Sequence, residues 1–319
     1  MNRRTWLAAL LGAVSTAALG ASGAGARPPQ RIVVLDWALT EMLLSIGVAP
    51  VGAANTTGFR HNFPASNLPA TVVDLGLMFQ PNLELMRSLN PDLIVISPAH
   101  AALRASLERL APTVTFGQYR SSPTPYTAAR NEALQLARML ACTPRAQVML
   151  ANADRSLDDA RIHLAARHGA RNIALYVVRF LDETHLRVYG SQSLFGEILT
   201  TLGLQNAWQG APRAGGYSTI PFEALEPAPG TALLYLQPLP LPVVNMMKTS
   251  PLWAAMPFAR AGHMIGVPGV PPEGGVPSAV YFANLLVDAL TQTSARSSLT
   301  STVSSLPGNA RDDAMEDLA

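Results

Sequence analysis

Residues Arg31 to Leu35 form a β-branched apolar run, which reads as a buried strand. Asp36 then stands where a helix N-cap belongs, and Leu39, Met42, Leu43 and Ile46 follow at helical spacing until Gly47 closes the segment. The pattern recurs 156 positions on, where Glu41-Met42-Leu43-Leu44-Ser45-Ile46-Gly47-Val48 is echoed by Glu197-Ile198-Leu199-Thr200-Thr201-Leu202-Gly203-Leu204. A second echo links residues 81–96 to residues 221–236, each running from a short helix through prolines into an apolar strand. Continuous apolar strands alternating with helices predict two α/β lobes with parallel sheets covered on both faces.

Between the echoes, Pro144 occupies a first helical position, and Met149, Ala153, Leu157, Ala160 and Leu164 follow at steps of three and four until Gly169. A helix over residues 144–168 spans ~37 Å at 1.5 Å per residue, enough to join the lobes as one stiff strut. The lobes are then residues 31–143 and 169–293. A last helix begins at Pro277 with Val280, Ala283, Val287 and Leu290 on one face. The Ser, Thr, Gly and acidic residues of 294–319 read as a flexible tail.

Residues 1–26 carry Arg3 and Arg4, an apolar run from Trp6 to Leu11, and small residues ending Ala24-Gly25-Ala26. This is the pattern of an export signal. The paired arginines resemble a twin-arginine signal, and an ordinary secretory signal with two basic residues fits as well. No cysteine lies near for a lipid anchor, and no later apolar stretch approaches the ~20 residues of a membrane span. The mature chain is expected to be periplasmic, soluble and monomeric.

Charge then excludes several functions. Of the 23 basic residues only Lys248 is a lysine, no phosphate-cradling glycine loop precedes it, and no basic run would track a nucleic acid. The formal charge of +2 belongs to Arg3 and Arg4, since 21 basic residues remain against 21 acidic. The single cysteine, Cys142, forms no internal disulfide and reads as a small buried hydrophobe.

Four strings carry a resemblance: D-L-G-x-x-x-x-P-N-L-E-L (74–85), N-P-D-L-I-V-I-S (90–97), E-I-L-x-x-L-G-L-x-N-A-W-Q-G (197–210) and P-L-W-A-A-M-P-F-A-R-A-G-H (251–263). Together they resemble the periplasmic substrate-binding proteins of iron-siderophore ABC transporters, most closely the ferric hydroxamate-binding branch. The resemblance implies two α/β lobes joined by one rigid helix. It implies a receptor that performs no chemistry, carries no cofactor or metal of its own, and delivers a ferric siderophore from the interlobe cleft to an inner-membrane permease. It also implies cleft residues, and here they depart from the branch. Its arginine is Met78, its tyrosine is His100, one tryptophan falls at Gly215, another at Pro271, and the next aromatic at Glu273. Replacements from nearby are Phe79, Arg60, Arg179, Phe180 and Tyr217. Arginine forks at 60 and 179 suit carboxylate oxygens, so anionic carboxylate or mixed siderophores become plausible ligands. For docking to the permease, the family's acidic residues correspond to Glu223 and, because Ala105 holds the other position, to Glu108 one helical turn on.

Blander readings stand beside these. His100 opens a helix and can be a polar start residue, and Arg179 can pair with Asp182 or Glu183. Trp208 and Trp253 read as packing beneath the cleft. A haem or corrinoid receptor with His100 as axial group is an alternative ligand class on the same fold. An exported enzyme is the alternative of another class, although neither G-x-S-x-G nor H-E-x-x-H is present.

Overall fold

The computed structural model describes residues 27–166, 174–211, 215–226, 230–260 and 263–305, with backbone alone for 260 and 292–305. The export segment, Gly169 and residues 306–319 lie outside them. The first half opens with β1 (Ile32–Val34), α1 (Trp37–Ser45), β2 (Gly52–Ala53), α2 (Thr56–Asn62) and β3 (Val73–Asp74). A small hairpin of β4 (Gly76–Leu77) and β5 (Gln80–Pro81) precedes α3 (Leu83–Ser88), β6 (Leu93–Ile96), α4 (Arg104–Leu107) and β7 (Thr113–Thr115). Asp36 caps α1 as its spacing predicts, its Oδ1 accepting from Ala38 N at 3.0 Å and Leu39 N at 3.2 Å. Gly47, at φ +73°, ends the segment in a left-handed conformation that suits glycine. The five strands pair in parallel in the order β3-β2-β1-β6-β7. Strand order therefore reverses beside β1, and the crevice at the carboxyl ends of β1 and β6 is the position where open α/β sheets place a ligand.

Two long helices follow, α5 (Pro125–Met139) and α6 (Thr143–Ala165). The second half contains β8 (Ala174–Phe180), β9 (His185–Tyr189), α7 (Leu194–Thr201), β10 (Gln205–Asn206), β11 (Tyr217–Pro221) and β12 (Thr231–Leu236). It ends with α8 (Leu241–Thr249), α9 (Pro251–Ala255), α10 (Pro257–Arg260), β13 (Met264–Val267) and α11 (Val276–Ser305). Its sheet runs β11-β9-β8-β12-β13, with β10 beside the start of β8. This sheet is mixed and not wholly parallel, because β9 pairs antiparallel with β8 and β11. Only residues 181–184 separate β8 from β9, too few for a crossover, so the chain must turn back on itself. The second echo is also weaker than its sequence suggests: the segment after Pro221 is a single 3-10 turn, Phe222–Ala224, before β12.

Burial explains how the halves join. Alternate residues of each strand face opposite ways. Val33, Leu35, Ile94 and Ile96 meet one outer cluster with Met86 and Leu107. Tyr176, Val178, Phe180 and Leu186 meet another with Trp253 and Phe258. Trp253 therefore packs on the outer face of the second sheet and not beneath the cleft. The inward residues, among them Ile32, Val34, Val95, Leu175, Val177 and Leu234, share one continuous buried cluster with α1, α5, α6, α7 and α11. The predicted connecting helix is α6, whose Ala146, Leu150, Ala153, Leu157, Ala160 and Leu164 form its buried stripe. It packs along both α5 and α11, one from each half, instead of standing free. Cys142, buried at the head of α6, is the small packing residue its setting suggests. The last helix continues to Ser305, so residues 294–305 are helical and not tail. No Gly or Pro interrupts 278–305, and the breakers come only at Pro307-Gly308. No described helix is long and apolar enough to cross a membrane.

Candidate functional site

The loops at the carboxyl ends of β1, β6 and β7 bring Asp36, Ser97, His100 and Arg120 to one edge of the first sheet. Arg120 lies in a 3-10 turn, Gln118–Ser121, held by α5: Glu132 accepts from Gly117 N at 2.5 Å and Tyr119 N at 2.7 Å. The Arg120 guanidinium donates to Asp36 Oδ2 at 3.1 Å and to Gly117 O at 3.1 Å. Burial is the largest influence and works against its charge, but the charge and hydrogen bond of Asp36 together with Tyr119 and Glu273 hold Arg120 above its ordinary range. His100 is 1% exposed, with Nδ1 2.9 Å from Ser97 Oγ. Burial and the Arg120 charge depress its pKa, against the pull of Asp36, which favours a neutral ring.

An interlobe cavity of about 240 Å3 opens between this edge and the second sheet. Tyr119, Arg120 and Pro125 line it from the first half, and Gln192, Tyr217 and Glu273 from the second. The Tyr119 hydroxyl bridges the two by donating to Glu273 O at 2.8 Å. Behind Tyr217 the inward face of the second sheet carries two rows across β8, β9 and β11. Val177, Tyr189 and Tyr217 form one, and Arg179, Arg187 and Thr219 the next. Arg187 stacks its guanidinium 4.8 Å from the Tyr217 ring centroid. Arg179 and Arg187 face each other directly across the strands, and neither has an ion pair among the described residues. Burial, with the charge of Glu273 adding to it and those of Arg179 and Arg187 opposing, raises the Tyr189 phenol far above its ordinary value. Arg187 Nε, the Tyr189 hydroxyl and His100 Nε2 are buried without a hydrogen-bond partner among the described residues. Buried polar atoms in proteins are nearly always paired, so these three stand out.

The structure corrects several expected positions. Tyr217 and Glu273 do line the cavity. Phe180 is 4% exposed and packs edge-on to Tyr235 and Trp253 on the outer face, because it alternates with Arg179 along β8. His100 is buried under Phe79, whose ring stacks on it with centroids 5.0 Å apart, so the cleft rim there presents phenylalanine and not imidazole. Phe79 is 55% exposed at the tip of the β4–β5 hairpin, and Met78 beside it is half-buried against the outer cluster. Arg60 is on α2, donates to Pro69 O at 3.3 Å, and does not line the cavity. Arg179 does not pair with Asp182, whose carboxylate instead accepts from Thr184 and His185 and is drawn down to about 2 by those bonds. Glu108 is held at 2.7 Å by Arg104, whereas Glu223 is exposed and has no ion pair among the described residues. Tyr119 and Arg120, which line the cavity, and Arg187, on the sheet face behind Tyr217, are not announced by the sequence. The only available sequence signal was strand parity around the Asp182-Glu183-Thr184 turn, which sets Arg187 opposite Arg179.

With this geometry in place, comparison with known proteins is informative. Residues 32–271 match the family described as periplasmic binding protein. The chain is 31% identical over 290 residues to the iron(3+)-hydroxamate-binding protein FhuD of Escherichia coli (strain K12), covering 91% of this chain and 97% of that protein. It is 26% identical over 239 residues to the Fe(3+)-citrate-binding protein YfmC of Bacillus subtilis (strain 168), covering 74% and 72%. Among solved structures, the Fe3+-Desferal-bound siderophore binding protein FhuD from Vibrio cholerae superposes with a TM-score of 0.76 at 28% identity, covering 82% of this chain and 97% of that one.

Proposed function

Because the chain belongs to the periplasmic binding protein family, we propose that it is the substrate-binding component of an iron-siderophore ABC importer. It captures a ferric siderophore in the cleft between its two sheets and passes it to an inner-membrane permease. The family consists of binding proteins, and the relatives named above bind ferric chelates, which supports capture over catalysis. In this reading residues 1–26 direct export to the periplasm, and α6 joins lobes of residues 31–143 and 169–293.

The observation that carries the ligand class is the unpaired arginine row. Arg120 is already paired with Asp36, whereas Arg179 and Arg187, on the sheet face behind Tyr217 and outside the cavity lining, have no ion pair among the described residues, and Arg187 Nε has no hydrogen-bond partner. Like charges directly opposed across strands repel, and an anion between them removes that cost. The bound chelate therefore presents carboxylate oxygens to the second sheet. At about 240 Å3 the cavity is smaller than the ~300–1,000 Å3 of enclosed pockets, so it takes one arm of the chelate while the rest lies at the open rim beside Phe79. A haem or corrinoid would have to displace the Phe79 ring that covers His100 before reaching its unpartnered Nε2.

Titration calorimetry of the purified protein against ferric chelates of the hydroxamate, catecholate and carboxylate classes tests this. Expected is a carboxylate-bearing chelate with Kd of ~1 μM or tighter. No heat from any of the three classes would remove the receptor reading. For delivery, Glu223→Lys is expected to leave chelate binding intact and abolish iron uptake in cells, because Glu223 is the exposed acid free to meet a permease cation. Undiminished uptake would exclude Glu223 from docking.

A further inference from the structure

The repeat seen in the sequence places Glu41 and Glu197 at equivalent positions of α1 and α7, and the fold gives them the same task in opposite directions. Glu41, in the first half, accepts from Gly275 N at 2.7 Å and Ser278 Oγ at 2.6 Å at the start of α11 in the second half. Glu197, in the second half, accepts from Tyr126 N at 2.6 Å, Thr127 N at 3.1 Å and Thr127 Oγ1 at 2.6 Å at the start of α5 in the first half. The first turns of α5 and α11 contain no acidic residue, and the N-cap of α5, Thr124, makes no side-chain capping bond. The exposed N–H groups of each helix start are thus satisfied from the other half, by a carboxylate placed at the positive end of the helix dipole.

Each contact also stands directly behind a cavity wall. Pro125, which precedes Tyr126, and Glu273-Gly274, which precede Gly275, all line the interlobe cavity. The Tyr119 hydroxyl holds the same 273–275 segment from the first half through Glu273 O.

We propose that Glu41 and Glu197 are reciprocal positioning residues that pin each half to the last helix of the other and so fix the width of the cleft before ligand arrives. The proposal rests on the reading of the cleft as the ligand site, but its test can be made on ligand-free protein. Spin labels on Glu84→Cys and Leu252→Cys, with Cys142→Ala removing the native thiol, report the distance between exposed positions of the two halves by double electron–electron resonance.

Expected is a narrow distribution in the parent, an ~twofold broader one in Glu197→Ala, a broader one still in the double Glu41→Ala/Glu197→Ala variant, and recovery toward the parent in Glu197→Gln, which keeps an acceptor oxygen. Glu197 is only half-buried, so its variants test the idea even if Glu41→Ala fails to fold. Dissociation of a bound ferric chelate is expected to quicken about tenfold in Glu197→Ala. Unchanged distance distributions with a lowered melting temperature would overturn the proposal, since the glutamates would then be helix caps only. Absence of chelate binding with broadened distributions would count against the receptor reading and leave the pins standing.

Discussion

Arg187→Met binds an anionic ferric chelate 10–100-fold more weakly than the parent while melting no lower than ~0.5 kcal/mol below it. Charge-assisted hydrogen bonds contribute roughly 1.5–3 kcal/mol each, which converts to that range of affinity at ~1.4 kcal/mol per decade. Stability is expected to hold for a separate reason. The substitution forfeits the stacking of the guanidinium on Tyr217, worth ~0.5–1 kcal/mol, but it also ends the repulsion from Arg179 and removes a buried nitrogen that has no partner. Calorimetry and thermal melts on the same preparation separate the two effects. A large fall in melting temperature with unchanged affinity would show that the arginine serves the sheet and not the ligand. Affinity for a chelate without free carboxylates should change far less.

Glu41→Gln flattens the pH dependence of stability between about pH 4.5 and 7. Glu41 is completely buried, and burial raises its pKa from 4.5 to about 7, against the lowering effect of the bonds from Ser278, Gly275 and Ser66. The folded protein therefore holds this proton more tightly than the unfolded chain does. The associated stability is fully present below the unfolded value near 4.5 and is lost as pH rises through 7. At ~1.36 kcal/mol per pKa unit the loss is about 3 kcal/mol. Glutamine keeps one acceptor oxygen for Gly275 N, can donate its amide to Ser278 Oγ, and never ionises, so the variant gains on the parent as pH rises across this window. Urea unfolding of both proteins at a series of pH values measures the difference, in which other titrating groups cancel. Parallel curves from pH 4.5 to 7 would show that Glu41 ionises in the folded state as easily as in the unfolded one.

Both predictions depend on residues whose types were plain in the sequence but whose partners were not. Glu41 and Glu197 occur in echoed strings of the sequence, yet each acts on a helix of the other half. Arg179 and Phe180 are adjacent on one strand and so point to opposite faces, Phe180 into the outer cluster and Arg179 toward the inward face, outside the cavity lining. His100 was placed correctly at the carboxyl end of β6, but the Phe79 hairpin that covers it folds from a separate segment. Arg120 sits in a four-residue turn with no periodicity to announce it, and acquires its setting from Asp36, 84 positions earlier.

The sequence by itself determined the apolar strands near 32–35, 93–96, 174–180 and 231–236, the Asp36 and Pro144 helix starts, the Gly47 stop and the long α6. Each of these depends on hydrogen bonds and burial patterns within a few residues, so the local chain carries the information. The tertiary structure alone decided that the second sheet is mixed, that α6 is packed between α5 and α11, and which side chains meet in the cleft. Tyr119 reaches Glu273 across 154 positions, and Glu41 reaches Ser278 across 237. Contacts over such separations follow from strand order and from the docking of two halves on a shared core, which no local pattern specifies.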